Sequence, residues 1–194
     1  MSGATAGRKR YCTIGHSTRS VAERAGLLRE AGADCIVDVR SISRSRTNPQ
    51  FNADVFPATL AAEGLGYHRI AELGGLRKRR KGGTSSPNAF WENLSFRNHA
   101  DYSGTAEFRA GLEALRKLAP QHRPAIMCAE ALWWRCHRRI IADYLLAGGA
   151  EVRHILGHGK IEPAHMTESA VQQPDGRLIY PAPASSSAAR THTA

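Results

Sequence analysis

The segment MCAEALWWRCHRR, from Met127 to Arg139, concentrates reactive side chains. It contains two cysteines, one glutamate, one histidine and three arginines between a strand-like run and a helix-like run. A cysteine thiolate can act as a nucleophile or a metal ligand, a carboxylate can act as a general base, and arginine binds phosphate and carboxylate groups. The segment therefore predicts one wall of a reactive pocket.

The two cysteines of this segment are the strongest candidates for chemistry. Cys128 ends the predicted strand, and Cys136 opens the predicted helix with His137 beside it. The positive end of a helix dipole and the nearby arginine charges favour the thiolate form of Cys136, which predicts a nucleophile or a metal ligand. The alternative is that both are buried structural thiols, which is our interpretation of Cys12 and Cys35 inside other strands.

Two carboxylates follow predicted strands and could serve the same site. Glu130 and Asp38 together could activate water or stabilise a developing cation, as base- and sugar-processing enzymes require. Asp38 has a structural alternative, an ion pair with Arg40 or Arg138 that fastens the loops. Arg138 could contact a phosphate or carboxylate of the substrate through two hydrogen bonds, or it could pair with Glu130.

A metal site and a sulfur-transfer site are the other interpretations of the thiols. Cys128, Cys136, His137 and a histidine distant in sequence could supply the three or four ligands that zinc needs. The chain contains neither C-x2-C nor H-E-x-x-H, so we predict no cofactor and keep zinc as the alternative. The order strand, cysteine, loop, helix resembles that of rhodanese-like sulfur carriers in outline, but the loop here is longer and holds two tryptophans.

The elements that position these groups alternate between strands and helices. Apolar or β-branched runs predict strands at 11–15, 35–40, 67–70, 124–128 and 151–156. A capping box at Ser20 and Glu23, helical spacing and glycine stops predict helices from 21, at 54–63, from 108 and at 134–146. Residues 73–103 are predicted to form a long surface loop with at most one helical turn at 90–99. The chain is thus predicted to be α/β, with a doubly wound, mostly parallel sheet of about five strands and helices on both faces.

Ligands of such sheets bind beyond the carboxyl ends of the strands. Polar or glycine-containing segments follow every predicted strand, so the candidate side chains are expected to meet at one edge, together with His154 and His158. We predict as catalytic residues Cys128, Glu130, Cys136, His137 and Asp38. We predict as substrate-binding residues His16, Ser17, Arg40, Arg44, Gly74, Gly75, Arg138, Trp133 and Trp134.

The charge of the chain indicates an anionic partner. A formal net charge of +10 attracts polyanions, although an arginine-rich composition also arises from codon bias in GC-rich genomes. Trp91, Trp133 and Trp134 could stack on bases while arginines hold phosphates, unless they serve only packing. The run Arg77–Lys81 would add a salt-sensitive attraction. We therefore predict nucleic acid or an anionic nucleotide-like ligand as the partner.

The composition along the chain predicts a single domain over residues 11–180. A flexible N-terminus, 1–10, precedes it, and the low-complexity tail 181–194 is predicted to be disordered. No apolar run approaches the length of about eighteen residues that a membrane span needs, and the polar start lacks the hydrophobic segment of a signal peptide. We therefore expect a cytoplasmic protein without membrane contact and with reduced cysteines, and leave its oligomeric state open.

Several short motifs resemble one known family. In chain order they are TIGHS, IVDVR with a following SR, LGG, MCAE, CHRR and VRHI. This combination resembles the bacterial and archaeal domain-of-unknown-function family 488 over approximately residues 11–158, and the CAE-to-CHR element is its most specific part. The resemblance implies a compact α/β domain with an active site that contains cysteine, but it carries no reaction. One departure is that family members often place a proline shortly before the second cysteine, where this chain has Trp133, Trp134 and Arg135.

These observations lead to one leading hypothesis and two alternatives. The first is an enzyme, of hydrolase or glycosylase type, that processes nucleic acid such as a modified or damaged base, or a nucleotide-like anion. The second is a thiol-dependent enzyme of sulfur transfer or redox exchange that acts on a small molecule. The third is a non-catalytic module that binds metal or nucleic acid.

Overall fold

A computed structural model describes residues 8–77 and 85–183. Its main sheet has six strands, which in chain order are β1 (Arg10–Gly15), β2 (Cys35–Asp38), β3 (Gly66–Arg69), β4 (Pro124–Cys128), β5 (Glu151–Gly157) and β6 (Lys160–Pro163). Their order across the sheet is β3-β2-β4-β1-β5-β6. The first five are parallel, and β6 pairs antiparallel to β5. The predicted parallel α/β sheet is confirmed, with one more strand than expected.

Helices cover both faces of this sheet. They are α1 (Val21–Glu30), α2 (Phe56–Ala62), α3 (Leu94–Ser103), α4 (Ala106–Leu118) and α5 (Arg138–Ala147). Alternate strand residues point to opposite faces, so Ile36 packs with α1 and α2 while Val37 packs with α3, α4 and α5. The strands are therefore buried on both sides, as their nearly continuous apolar sequences require.

Local signals fix where several helices begin. The Ser20 hydroxyl accepts a hydrogen bond from the backbone of Glu23 at 3.1 Å, which confirms the predicted cap of α1. The helix predicted at 134–146 begins later, because residues Trp133–Arg135 form a single 3-10 turn and α5 starts at Arg138. Cys136 therefore lies just before the helix and does not open it, which corrects that expectation.

Helix α3 is the largest difference from the loop predicted at 73–103. Asn93 caps it by accepting from the backbone N–H groups of Ser95 and Phe96. Its buried residues are His99, Ala100 and Ser103, which are polar or small, so the usual apolar spacing is absent from the sequence. Residues 78–84, which hold most of the cationic run Arg77–Lys81, lie outside the described residues.

The chain after β5 forms structure that the sequence patterns did not predict. Besides β6, a small antiparallel hairpin pairs β7 (Val171–Gln172) with β8 (Leu178–Ile179). Buried Asp143 fastens this segment by accepting from the Thr167 N–H at 2.9 Å and from the Tyr180 hydroxyl at 3.1 Å. Most of the predicted flexible ends, 1–10 and 181–194, lies outside the described residues. Every described helix is too short or too polar to cross a lipid bilayer.

Candidate active site at the carboxyl edge of the sheet

A pocket of about 580 Å³ lies where β2 and β4 end and where the loop after β1 begins. This volume is in the range of sites that hold small molecules. Seven of the residues predicted for the site line it, namely Ser17, Arg40, Gly75, Cys128, Glu130, Cys136 and His137. The strand-edge rule thus brings together residues from four separate segments.

The centre of the pocket wall is a cluster of two sulfur atoms and one imidazole. The Sγ atoms of Cys128 and Cys136 and the Nδ1 atom of His137 lie within 4.8 Å of one another. Nδ1 is 3.8 Å from the first sulfur and 3.6 Å from the second. Gly75 makes room for this imidazole, because a Cβ atom at that position would overlap the His137 ring.

Arg138 is the counter-charge of the cluster. Its side chain is 1% exposed, and its Nε donates to the Cys136 sulfur at 3.2 Å. Its Nη2 donates to the backbone oxygens of Glu130 at 2.6 Å and Ala131 at 3.4 Å. Among residues 8–77 and 85–183 it makes no ion pair with a carboxylate. The Cys136 sulfur is the group in contact with this guanidinium that can carry a negative charge, so the contact favours the Cys136 thiolate.

The two thiols have opposite acidities. Burial opposes a charge on Cys136, but the hydrogen bond with Cys128 and the positive charges of His137 and Arg138 lower its pKa well below the ordinary value. The hydrogen bond to Cys136, followed by burial, raises the pKa of Cys128 well above the ordinary value. These directions favour the thiolate at Cys136 and the neutral thiol at Cys128.

Glu130 is the carboxylate of the pocket. The residue lines the cavity, and its Oε1 accepts from the backbone N–H of Leu132 at 3.3 Å. Arg138 holds the backbone oxygen of Glu130 and not its carboxylate, so the side-chain pair considered for these two residues is not formed. The Glu130 carboxylate is therefore free of ion pairs in the described residues and can accept a proton in the cavity.

Asp38 lies below the pocket and supports it. The carboxylate is fully buried and is not among the lining residues. It accepts from Arg40 through Nε at 2.8 Å and Nη2 at 2.6 Å, and from the Tyr67 hydroxyl at 3.0 Å. Arg40 lines the pocket and also donates to the backbone oxygen of Phe51 at 2.6 Å. The sequence analysis gave an ion pair of Asp38 with Arg40 as the structural alternative to a catalytic role, and the structure contains this pair.

The loop after β1 is held by aromatic stacking and by a buried cation. The His16 ring stacks on Phe51 at 4.5 Å, and its Nδ1 donates to the Ser17 backbone oxygen at 2.9 Å. Ser17 has a positive φ of 47°, and its side chain lines the pocket. Arg24 from α1 is completely buried and donates to the backbone oxygens of Gly15 and His16. Sequence analysis missed Arg24, because an arginine on a helix ordinarily faces solvent.

Besides His16 and Arg138, four more predicted binding residues lie outside the pocket lining. Arg44 is exposed and sits 3.7 Å from Asp54, while Gly74 packs against Ser41. The Trp133 ring stacks on His154 at 4.2 Å, and Trp134 contacts Trp133 edge-on at 5.6 Å. The stacking of Trp133 on a protein side chain matches the packing alternative for that residue.

The other two residues expected at this edge lie apart from the pocket. His154 belongs to β5 itself, where its Nδ1 bonds to the Thr13 hydroxyl at 2.7 Å. His158 is exposed and faces Glu30 at 3.1 Å.

The apolar wall of the pocket was not predicted. It is formed mainly by Ile42, Leu76 and Phe96, of which the first two are 64% and 70% exposed. These residues follow strands or lie at the start of a helix, and no sequence motif marks them. Their place in the pocket could be recognised only from the path of the loops in the folded chain. Arg135 also lines the pocket, and it is exposed and lacks an ion pair in the described residues.

Two buried histidines predict acid sensitivity. Burial lowers the pKa of His16 and of His154 from 6.5 to about 4. The unfolded chain takes up these protons below pH about 6.5, whereas the folded chain does not until pH about 4, so stability falls as the pH decreases between those values. The loss is on the order of 3 kcal/mol for each ring. Urea unfolding at a series of pH values measures it.

A pair of variants tests this pH dependence. His154→Gln is expected to reduce the slope of unfolding free energy against pH by about one proton in that window. His158→Gln changes an exposed histidine and is expected to leave the slope as it is. Equal slopes for wild type and His154→Gln would contradict the assignment.

Comparisons with known proteins give the family. Neither a curated protein nor a solved structure matches the chain. A family model does match, over residues 20–145, and this range contains IVDVR, LGG and the complete CAE-to-CHR element with both pocket cysteines. Since the match covers more than half of the chain, the protein belongs to the family described as "Domain of unknown function DUF488".

Proposed function

We propose that this protein is an enzyme that uses the Cys136 thiolate as a nucleophile on an anionic substrate held in the pocket. The observation that carries the proposal is the pairing of Cys136 with buried Arg138, which lacks a carboxylate partner in the described residues. A thiolate maintained in this way beside a small-molecule cavity is an activated nucleophile.

Neighbouring groups supply the remaining roles. The Cys136 sulfur forms a bond to an electrophilic atom of the substrate while the bond to the leaving group breaks, and the Cys128 thiol gives its proton to that leaving group. Glu130 then takes a proton from water, the resulting hydroxide displaces the Cys136 sulfur, and the proton returns to Cys128. The sum of both steps is hydrolysis, and both cysteines regain their starting states.

The substrate class that we propose is nucleic acid or a nucleotide-like anion. A net charge of +10 attracts polyanions, and exposed Arg135 brings positive charge to the pocket itself. Phe96, Ile42 and Leu76 offer an apolar wall on which a base can lie. A cavity of about 580 Å³ admits roughly one nucleotide, so a polymer would have to insert a single extruded residue.

Alkylation kinetics test the nucleophile. Iodoacetamide is added across the range from about pH 5 to about pH 9, and the modified cysteines are identified by peptide mass spectrometry. Cys136 is expected to react at pH 6 at least about tenfold faster than a free cysteine, whose pKa is about 8.5. Cys12 and Cys35 are internal controls, since burial raises the pKa of the first to about 11 and of the second to about 12. A rate at Cys136 no faster than that of a free thiol at pH 7 would exclude the catalytic thiolate.

Binding measurements test the substrate class. Fluorescence anisotropy with labelled single- and double-stranded oligonucleotides is expected to show binding at about 50 mM salt that weakens strongly at about 200 mM. Arg135→Gln is expected to weaken binding, whereas Arg10→Gln, an exposed arginine paired with Glu151 on β5, serves as the matched charge control. Absence of binding at low salt would exclude the polymer but not a mononucleotide, which is tested by competition.

A second candidate function is metal-assisted hydrolysis, and the distances in the cluster favour it. With Zn–S near 2.3 Å and Zn–N near 2.0–2.1 Å, tetrahedral ligation separates nitrogen from sulfur by about 3.6 Å. The observed separations from His137 Nδ1 are 3.6 and 3.8 Å. Cys128, Cys136 and His137 would then hold zinc, which would supply a bound water of lowered pKa for hydrolysis.

One feature favours the metal-free nucleophile over this alternative. The Nε2 atom of His137 is buried and has no hydrogen-bond partner, whereas metal-bound histidines nearly always donate their second N–H to an acceptor. Metal analysis of the purified protein separates the two functions. One equivalent of zinc that is lost in Cys136→Ser supports the metal, and full alkylation of metal-free protein supports the nucleophile.

A further inference from the structure

We propose a second site on this chain, a binding site for a divalent transition-metal ion such as Zn²⁺, formed by Asp34, Cys35, His68 and His122. It lies where β2 begins, at the end of the sheet opposite to the pocket, and it is independent of the function proposed above. Three of its four ligands are already close to one another, and the fourth lies on the neighbouring edge strand.

The first three ligands come from two adjacent segments. A carboxylate oxygen of Asp34, the sulfur of Cys35 and a ring nitrogen of His122 lie within 4.8 Å of one another. Asp34 Oδ1 is 3.4 Å from His122 Nδ1. The 3.4 Å separation matches an oxygen–nitrogen edge of a tetrahedral site with ordinary metal–ligand bonds, and the Asp34 and His122 side chains are partly exposed and can move to bring the sulfur to bonding distance of the same ion.

The strand register supplies the fourth ligand. β2 and β3 are parallel, and Cys35 is opposite Gly66 while Val37 is opposite His68. Residues two apart on a strand, and residues paired across parallel strands, point to the same face of the sheet. Cys35 and His68 therefore share a face, and the His68 ring centroid lies 5.8 Å from that of His122.

The backbone holds Asp34 in place without the ion. The Arg123 N–H donates to Asp34 Oδ1 at 3.0 Å, and the Asp34 N–H donates to the Arg123 backbone oxygen at 3.2 Å. This reciprocal pair fixes Asp34 beside the residue that follows His122. A site organised in this way loses little conformational entropy when a metal binds.

The donor set selects the class of ion. One thiolate, two imidazoles and one carboxylate are ligands for zinc or cobalt, not for magnesium or calcium. The two negative charges balance a divalent ion, so the partly buried site becomes neutral when it is filled. The Asp34 and His122 side chains are 40% and 37% exposed while Cys35 is fully buried, so an ion can enter from solvent and displace the thiol proton into it.

A cobalt titration of the full chain tests the site. Bound Co²⁺ is counted by equilibrium dialysis, and the cobalt–thiolate bond is followed by its charge-transfer absorption. His122→Asn and Cys35→Ala are each expected to bind one equivalent fewer than wild type. His158→Gln is the matched control, because that exposed histidine also faces a carboxylate, Glu30 at 3.1 Å, but belongs to none of the metal-type clusters of the described residues.

The test compares bound cobalt per chain in wild type and variant, which separates this site from the pocket. If the pocket also binds metal, the variant is expected to bind one equivalent where wild type binds two. If the pocket binds none, the variant is expected to bind none where wild type binds one. Zinc at saturation is also expected to raise the melting temperature of wild type but to raise it less in His122→Asn. If wild type and His122→Asn bound the same number of cobalt equivalents, this second site would be overturned. That conclusion would not depend on the alkylation of Cys136.

Discussion

Asparagine in place of Asp38 is expected to destabilise the fold by about 3–5 kcal/mol, because it leaves the buried charge of Arg40 without a counter-charge. Asparagine has the same shape as aspartate, so packing changes little. The carboxylate now accepts from Arg40 through both Nε and Nη2 and also from the Tyr67 hydroxyl, with no exposure to solvent. Urea unfolding at neutral pH measures the loss as a shift of the midpoint at constant slope.

Asp54 offers a control of the same chemistry at the surface. It lies 3.7 Å from Arg44, with 60% and 80% of the two side chains exposed. Asp54→Asn is expected to change stability by less than about 0.5 kcal/mol, since exposed ion pairs contribute little. If Asp38→Asn lowered the free energy of unfolding as little as Asp54→Asn, the buried ion pair between Asp38 and Arg40 would not be what stabilises the structure beneath the pocket.

Replacement of Arg138 by methionine is expected to remove the reactivity of Cys136. Methionine fills similar space but carries no charge, so the pKa of Cys136 rises when the guanidinium beside it is lost. Alkylation at pH 6 is expected to slow by about tenfold or more, because each pKa unit changes the thiolate fraction about tenfold. The backbone oxygens of Glu130 and Ala131 also lose a donor, which costs about 1–3 kcal/mol each where they stay unpaired.

Arg139→Met is the matched variant on the next residue of α5. Arg139 donates to the Thr167 hydroxyl at 3.0 Å and lies over the Trp91 ring at 5.0 Å, away from the thiols. Its loss is expected to leave the pH profile of alkylation unchanged. A profile that shifts equally in both variants would mean that general positive charge, and not the contact with Arg138, maintains the thiolate.

The sequence predicted the sheet well because its strands are buried on both faces. Runs such as CIVD and PAIMC are apolar throughout, and only a parallel sheet covered by helices accommodates several of them. Once the strands were placed, the ends of β2 and β4 brought the candidate residues to one edge, and the pairing of Cys128 with Cys136 followed.

The missed elements lack that apolar signature. β6 reads KIEP, is mostly exposed and pairs only through its backbone, so no apolar run marks it. Helix α3 buries a histidine, an alanine and a serine, which resemble loop residues in the sequence. Arg24 was missed because its burial depends on carbonyl groups of the β1 loop that come within reach only in the folded chain.

Two of the three arginines that are buried in the described residues bear on how this protein could be redesigned. Arg24 and Arg138 donate hydrogen bonds to main-chain oxygens at the end of β1 and in the loop after β4. These two segments are in contact, since a Cβ atom on Gly15 would overlap the backbone of Glu130. The contact between these two segments is therefore stabilised through peptide groups, which every amino acid possesses. Ala129 and Ala131 line the pocket, so under the proposed function saturation mutagenesis at these two positions is the natural starting point for altering specificity.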